Sequence, residues 1–248
     1  MLRRSSLPAL FSSFLGVWLL VWGGSAWAVK ELPAPSPFRV FEVDTRTDTL
    51  RLSWKNSTGE SLGSFARWNQ DLAATGGQLL FAMNAGMFQS GPAHTPMGLL
   101  VIDGKQVHPI NRRVGPKSNF YLQPNGLFLL GESGARIVRT EDYLSADMKW
   151  VKQATQSGPL LVIDGKRNEQ LPIGMSLVRN GVGVRGSAVF FVITNSGVTF
   201  HEFADFFVRV LHCTDALYLD GNISGAMSAN GAPIEATSGF GPMIGVVR

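Results

Sequence analysis

The sequence predicts an α+β fold: a single compact domain of mostly antiparallel sheet with a few helices. Three observations carry that expectation. Short apolar runs, several alternating at period two, recur along the chain between Gly- and Pro-containing turns. Only two stretches, 62–72 and 199–211, hold apolar residues at sustained helical spacing. The heptapeptide Leu-Leu-Val-Ile-Asp-Gly-Lys stands at both 99–105 and 160–166, each time a strand running into Asp-Gly, the chemistry of a two-residue hairpin turn.

The 248-residue chain opens with a leader. Arg3 and Arg4 form a positive start, residues 7–22 are mostly apolar, and Ala26-Trp27-Ala28 fits an A-x-A cleavage site. Residues 1–28 therefore read as a signal peptide, with Val29 the first mature residue. An uncleaved membrane anchor is the alternative, because the apolar stretch is long. Residues 29–37 form a Pro-rich, extended lead-in to a domain at 38–248.

Within that domain, 38–43 and 50–54 alternate around a turn and read as a β-hairpin. Leu62, Phe65, Trp68 and Leu72 mark a short helix that Gly76-Gly77 ends. Residues 79–83 are a buried strand running into Asn84, and 84–96 is loop, punctuated by Gly86, Gly91, Pro92 and Pro96. Asp103 and Asp164 are turn formers rather than catalysts. Residues 119–122, 127–130 and 135–138 are further strands, and 141–148 makes a helical turn or two. Residues 156–163 form a strand entered through Ser157-Gly158-Pro159, and 182–184 pairs with 188–194 around Gly186. Thr199-Phe200-His201-Glu202 is a capping box, opening a helix that runs to Leu211. Residues 243–247 are the last strand.

Charge and cysteine content narrow the function. The formal net charge of +4 loses two units with Arg3 and Arg4, and no Lys/Arg block remains, so nucleic acid is not an expected partner. Cys213 is the only cysteine, so no intrachain disulfide is possible and the fold must rest on its core. It reads as a buried small hydrophobe. No Cys/His cluster, P-loop, G-x-S-x-G or dinucleotide fingerprint is present. No cofactor or metal site is expected, with dependence on a divalent cation left open.

The chemistry centres on residues 215–225, where an apolar run ends in Asp220 and then breaks into small residues. A strand end holds a carboxylate rigidly, and small residues let a ligand approach the backbone. Two upstream stretches share this character: the 84–96 loop and a loop expected at 179–183. Gathered at one rim, the three would form a cleft with hydrogen-bonding groups and little bulk. Taken singly, Asn84 and Asn222 are turn residues as readily as ligands. His94 reads as a surface histidine or a proton shuttle. Arg112, Arg113 and Lys117 make a small basic loop, either a solvated turn or an anion contact.

Together these stretches resemble the phosphodiester glycosidase domain, the family of the lysosomal uncovering enzyme, in its exported bacterial branch. The resemblance rests on Asn84-Ala85-Gly86-Met87-Phe88, on Arg179 with Gly183, and on Asp220-Gly221-Asn222-Ile223-Ser224, and extends over about 38–247. It departs from the family pattern at Asn180, where Thr is usual, and at Asn222, where Gly is commoner. The resemblance implies hydrolysis of a glycosyl-1-phosphodiester by a periplasmic or secreted protein that is not membrane-inserted once the leader is cleaved. It implies Asp220 and Arg179 as catalytic residues. Asn84, Gly86, Asn180, Gly183, Gly221, Asn222 and Ser224 would bind an envelope saccharide or small-molecule substrate. A phosphate monoester leaves more readily than a sugar alkoxide, so strong general-acid help is less needed than in ordinary glycosidases. A cation is needed for the phosphate, which arginine's fork suits, and a carboxylate near the anomeric carbon, acting as base or nucleophile. Glu141 and Asp142 are the remaining carboxylates considered. The alternatives are a non-catalytic saccharide-binding envelope protein and a structural envelope protein that docks through its sheet edges.

Overall fold

The computed structural model describes residues 29–115, 118–228, 233–235 and 239–248. The expected leader and Lys117 lie outside the described residues. In chain order the elements are β1 (Lys30–Leu32), β2 (Phe38–Asp44), β3 (Thr49–Ser53), α1 (Phe65–Ala73), β4 (Leu79–Asn84), β5 (Leu100–Ile102), β6 (Lys105–His108), β7 (Gly126–Gly131), β8 (Gly134–Arg139) and α2 (Thr140–Ser145). They continue as β9 (Val151–Ser157), β10 (Leu160–Ile163), β11 (Lys166–Arg167), β12 (Asn180–Arg185), β13 (Ala188–Thr194), α3 (Phe200–Arg209), β14 (Asp215–Tyr218), β15 (Gly225–Met227), β16 (Pro233–Glu235) and β17 (Met243–Val247). Single 3₁₀ turns occur at Asn119–Tyr121 and Gly221–Ile223.

The strands make three antiparallel sheets. The first runs β1-β2-β13-β12-β14-β10-β11, the second β16-β15-β4-β17-β3, and the third β6-β5-β9-β7-β8. All three contribute to one central core, where Phe41, Phe81, Phe128, Phe191, Leu217 and Ile244 meet. A second cluster lies between the other face of the first sheet and α3, built from Phe203, Phe206, Phe207, Cys213 and Tyr218. The α1 side chains Phe65, Trp68 and Leu72 cover the second sheet. With a core face on one side and α1 on the other, β4 is buried at all six positions, as its unbroken apolar run demands. Burying each large apolar side chain contributes roughly 1.5–3 kcal/mol, so these faces fix how the sheets meet.

Local signals decide the turns and helix ends. Asp103-Gly104 and Asp164-Gly165 all take positive φ, at 50°, 76°, 50° and 75°, as a type I′ turn requires. Ser64 caps α1 through the Arg67 amide, and the Thr199/Glu202 capping box starts α3.

Strand pairing departs from local expectation in three places. The strands at 38–43 and 50–54 do not pair with each other. β2 is taken on both edges by β1 and β13, while β3 joins β17 in another sheet. The lead-in at 29–37 thus carries an edge strand, β1. The run 156–163 is not one strand: the chain breaks at Gly158-Pro159, so β9 belongs to the third sheet and β10 to the first. Residues 119–121 form a 3₁₀ turn capped by Ser118 instead of a strand.

Candidate active site at the junction of the first and second sheets

The site grows from Asn84, the last residue of β4, which is 1% exposed. Its Nδ2 donates to the Asp220 carbonyl at 2.7 Å. Its Oδ1 accepts from Asn180 Nδ2 at 2.8 Å and from the Gly225 amide at 2.9 Å. In return the Asp220 amide donates to the Ala85 carbonyl at 3.2 Å. One asparagine therefore ties the end of β4, the start of β12 and the turn after β14. Because its partners are buried main-chain and amide groups, each lost bond would leave an unsatisfied polar atom, at a cost of about 1–3 kcal/mol.

Alternation along the strands divides the site between two faces. Asn180, with Leu217 and Leu219, lies on the central-core side, facing Asn84. Arg179 and Tyr218 lie on the α3 side. The β12–β14 ladder pairs Gly181 with Tyr218, and the Leu219 amide donates to the Asn180 carbonyl.

Arg179 is 2% exposed. Its Nε donates to the Val198 carbonyl at 2.8 Å and its Nη2 to the Met175 carbonyl at 3.0 Å. The guanidinium carbon sits 3.7 Å from the Phe200 ring centroid and 5.5 Å from that of Tyr218. Its Nη1 is buried without a partner, and among the described residues no carboxylate is within ion-pair distance of Arg179. Burial pulls its pKa below the usual arginine value, while Tyr218 opposes that shift.

Tyr218 is pushed up to about 12, first by burial; the Asp220 charge adds to this, and Arg179 and the Gly221 amide oppose it. The phenol thus stays neutral. A side chain at Gly221 would collide with the Tyr218 hydroxyl, so glycine is required there for close approach. Asp220 is 8% exposed. Ser224 Oγ donates to the Gly221 carbonyl at 3.1 Å and closes the turn. The Asn222 side chain lies outside what is described.

Several expected site residues have other roles. The stretch 179–183 is not a loop: β12 begins at Asn180, and Gly181 and Gly183 are ladder positions between β13 and β14. Gly183 makes room for α3, since a Cβ there would lie 2.6 Å from Cys213 Sγ and 2.7 Å from Phe207. Gly86 lets its loop press on β9, its amide donating to Thr155 Oγ1 at 3.2 Å. His94 packs edge-on against Phe88. Glu141 and Asp142 are exposed at the start of α2.

Other residues were not singled out in the sequence. Phe200 and Tyr218 cage the guanidinium, and Thr194 Oγ1 accepts the Arg179 amide at 3.0 Å. The period-two relation of Tyr218 to Asp220 was the available signal. Among the described residues, Ser157 Oγ and Asn180 Oδ1 are buried without partners. Each is an open hydrogen-bonding position of the kind a ligand or water fills. Among the described residues no group of three or more His, Cys, Asp or Glu side chains could hold a metal ion.

Comparison with known proteins agrees with this architecture. The solved catalytic domain of zebrafish N-acetylglucosamine-1-phosphodiester alpha-N-acetylglucosaminidase, auto-inhibited by its pro-peptide, superposes with a TM-score of 0.62 at 14% identity, covering 84% of this chain and 76% of that one. A hypothetical protein from Synechocystis gives a TM-score of 0.52 at 13% identity, over 88% and 61% of the two chains. At these identities the likeness is one of fold. The uncharacterized protein YigE of Escherichia coli (strain K12) is 30% identical over 214 residues, 85% of this chain and 82% of that protein. The family model for phosphodiester glycosidase matches residues 77–246, a span holding all three motif stretches, and the chain belongs to the phosphodiester glycosidase family.

Proposed function

We propose that the chain is an exported hydrolase that cleaves the glycosyl-1-phosphodiester bond of an envelope saccharide or glycolipid. The observation that carries this reading is Arg179, a buried guanidinium that has, among the described residues, an unpartnered nitrogen and no carboxylate within ion-pair distance. A buried, uncompensated charge is costly, by several kcal/mol. A substrate phosphate would supply the missing counter-charge and accept from Nη1.

The rest of the site supports the same chemistry. Asp220 is anchored by both its amide and its carbonyl. In hydrolysis a water oxygen ends on the anomeric carbon, the bond from that carbon to the phosphate oxygen breaks, and the phosphate monoester departs. Asp220 serves either as base toward the water or as nucleophile. Asn180 Oδ1 and Ser157 Oγ would bond sugar hydroxyls or phosphate oxygens. The zebrafish relative is by name a phosphodiester glycosidase acting at an N-acetylglucosamine 1-phosphodiester, which supports the bond type. Export rests on the leader pattern at 1–28; no helix among the described residues is long and apolar enough to cross a membrane.

The test is to assay the purified protein on a panel of glycosyl-1-phosphodiesters, with and without divalent ions. Release of free sugar and a phosphate monoester is expected. Saccharide binding with no turnover on any member would assign the fold to a binding protein instead.

A further inference from the structure

We infer that the groove beside the 84–97 loop is a second anion subsite, which takes a phosphoryl group of the substrate other than the one at the scissile bond. This rests on the phosphodiester glycosidase reading and narrows it to substrates with at least two phosphates. The groove encloses about 520 Å³, and Gln89, Met97, His108, Asn111, Arg112 and Arg113 line it; its described lining contains no Asp or Glu.

Arg112 and Arg113 are exposed, and among the described residues neither guanidinium has a carboxylate, a ring or a hydrogen-bond acceptor beside it. Arg39, Arg46, Arg51, Arg67, Arg167 and Arg209 each sit within ion-pair distance of a carboxylate. Four further exposed arginines lack an ion pair but have other company: Arg136 lies over Trp150, Arg185 over Phe190, Arg248 donates to Gln78, and Arg139 acts on the Asp215 charge. Two adjacent unneutralised guanidinium groups on a concave, carboxylate-free surface attract an anion, and the fork geometry of each suits phosphate oxygens.

The turn that carries them is built rather than loose. The buried Gln156 side chain accepts the Asn111 amide at 2.9 Å and donates to the Asn111 carbonyl at 2.7 Å. The same side chain holds the Leu99 amide at 2.9 Å and Thr140 Oγ1 at 3.2 Å. Asn111 in turn accepts the Arg113 amide and donates to the Met97 carbonyl. Gln156 lies between Thr155, which holds Gly86, and Ser157, whose hydroxyl is open, so one strand positions both the 84–88 motif and the basic turn.

The groove adjoins the 84–88 motif. Gln89 and Met97 line it, the Met97 amide donates to the Met87 carbonyl at 2.9 Å, and both methionines pack on the apolar cluster that also contains Phe200 and Tyr218. A substrate with phosphates along its length would thus meet Arg179 at one and the Arg112–Arg113 turn at the next.

The test is calorimetric titration of the purified protein with inorganic phosphate and with tripolyphosphate at low ionic strength. Tripolyphosphate is expected to bind about tenfold or more tightly than phosphate, since one added charge-assisted contact is worth about that factor. The double variant Arg112→Gln/Arg113→Gln should lose this advantage and keep its affinity for phosphate. Lys105→Gln/Lys166→Gln removes the same charge from two exposed hairpins and should retain the advantage. An equal affinity for the two anions, or an equal loss in both double variants, would overturn the subsite. Arg179→Lys separates the two claims. If it weakens phosphate binding while tripolyphosphate shows no advantage, the groove fails and the Arg179 site stands. If tripolyphosphate keeps an advantage that depends on Arg112 and Arg113 whatever happens at Arg179, the groove stands without it.

Discussion

Two arginines of the first sheet touch the same helix and are treated in opposite ways. Arg167, on the edge strand β11, sends Nη1 to both Asp205 carboxylate oxygens at 3.1 Å and Nη2 toward Glu169 at 3.3 Å. Its Nε has no partner among the described residues, but its charge is balanced twice over. Arg179, just before β12, lies over Phe200, the first residue of α3, with two carbonyls for company and, among the described residues, no carboxylate within ion-pair distance. The outer pair is solvent-screened and of the kind worth about 0–1 kcal/mol. The inner arginine is buried, and among the described residues no carboxylate balances its charge. On the proposed function the difference is between an arginine that fastens the surface and one that meets a substrate phosphate.

The largest effect that would sharpen this contrast belongs to Asp220→Asn. The substitution keeps shape and leaves both backbone bonds intact, so thermal unfolding should stay near wild type. Turnover of a glycosyl-1-phosphodiester should fall on the order of a hundredfold or more, as for loss of a positioned base or nucleophile. Lowered stability with turnover per folded molecule intact would reduce Asp220 to a turn residue.

Asn84→Ala comes next and acts on the scaffold. It removes three buried hydrogen bonds at once, so urea unfolding should show a loss of about 2–4 kcal/mol. A loss under 1 kcal/mol would show that water replaces the amide and that the junction is looser than its geometry indicates.

At the outer arginine, Arg167→Lys should change unfolding free energy by less than about 1 kcal/mol and leave turnover unchanged. Cys213 gives a still smaller effect. Burial pushes its thiol up to about 12, so almost no thiolate exists at pH 8. Iodoacetamide should leave the native protein unmodified by mass spectrometry and label it once unfolded; rapid native labelling would mean that α3 lifts from the sheet.

The sequence was most legible where structure is decided locally. Both Leu-Leu-Val-Ile-Asp-Gly-Lys segments make the same turn with nearly the same φ angles, although one lies in the third sheet and the other in the first. The capping box of α3 and the buried run of β4 were equally plain. Pairing was not, because an alternating strand does not name its partner: β2 and β3 are adjacent in sequence and belong to different sheets. The same limit shaped the site. Asn84, Asn180 and Asp220 were found as residues, but their mutual bonds cross 96 to 136 positions of chain. The aromatic cage went unseen because Phe200 reads as helix and Tyr218 as strand until α3 folds over β14. Gly183, expected from the motif to meet substrate, lies in the structure where a Cβ would meet Cys213 and Phe207, a packing need that the sequence motif does not reveal.

The most direct measurement is calorimetric binding of a sugar 1-phosphate to the wild type, Arg179→Lys and Arg167→Lys. Lysine keeps the charge at either position and loses the fork. Saturable binding is expected for the wild type and Arg167→Lys alike, weakened about tenfold or more in Arg179→Lys. Equal affinity in all three proteins would contradict the assignment of Arg179 to the substrate phosphate and return it to the packing of α3.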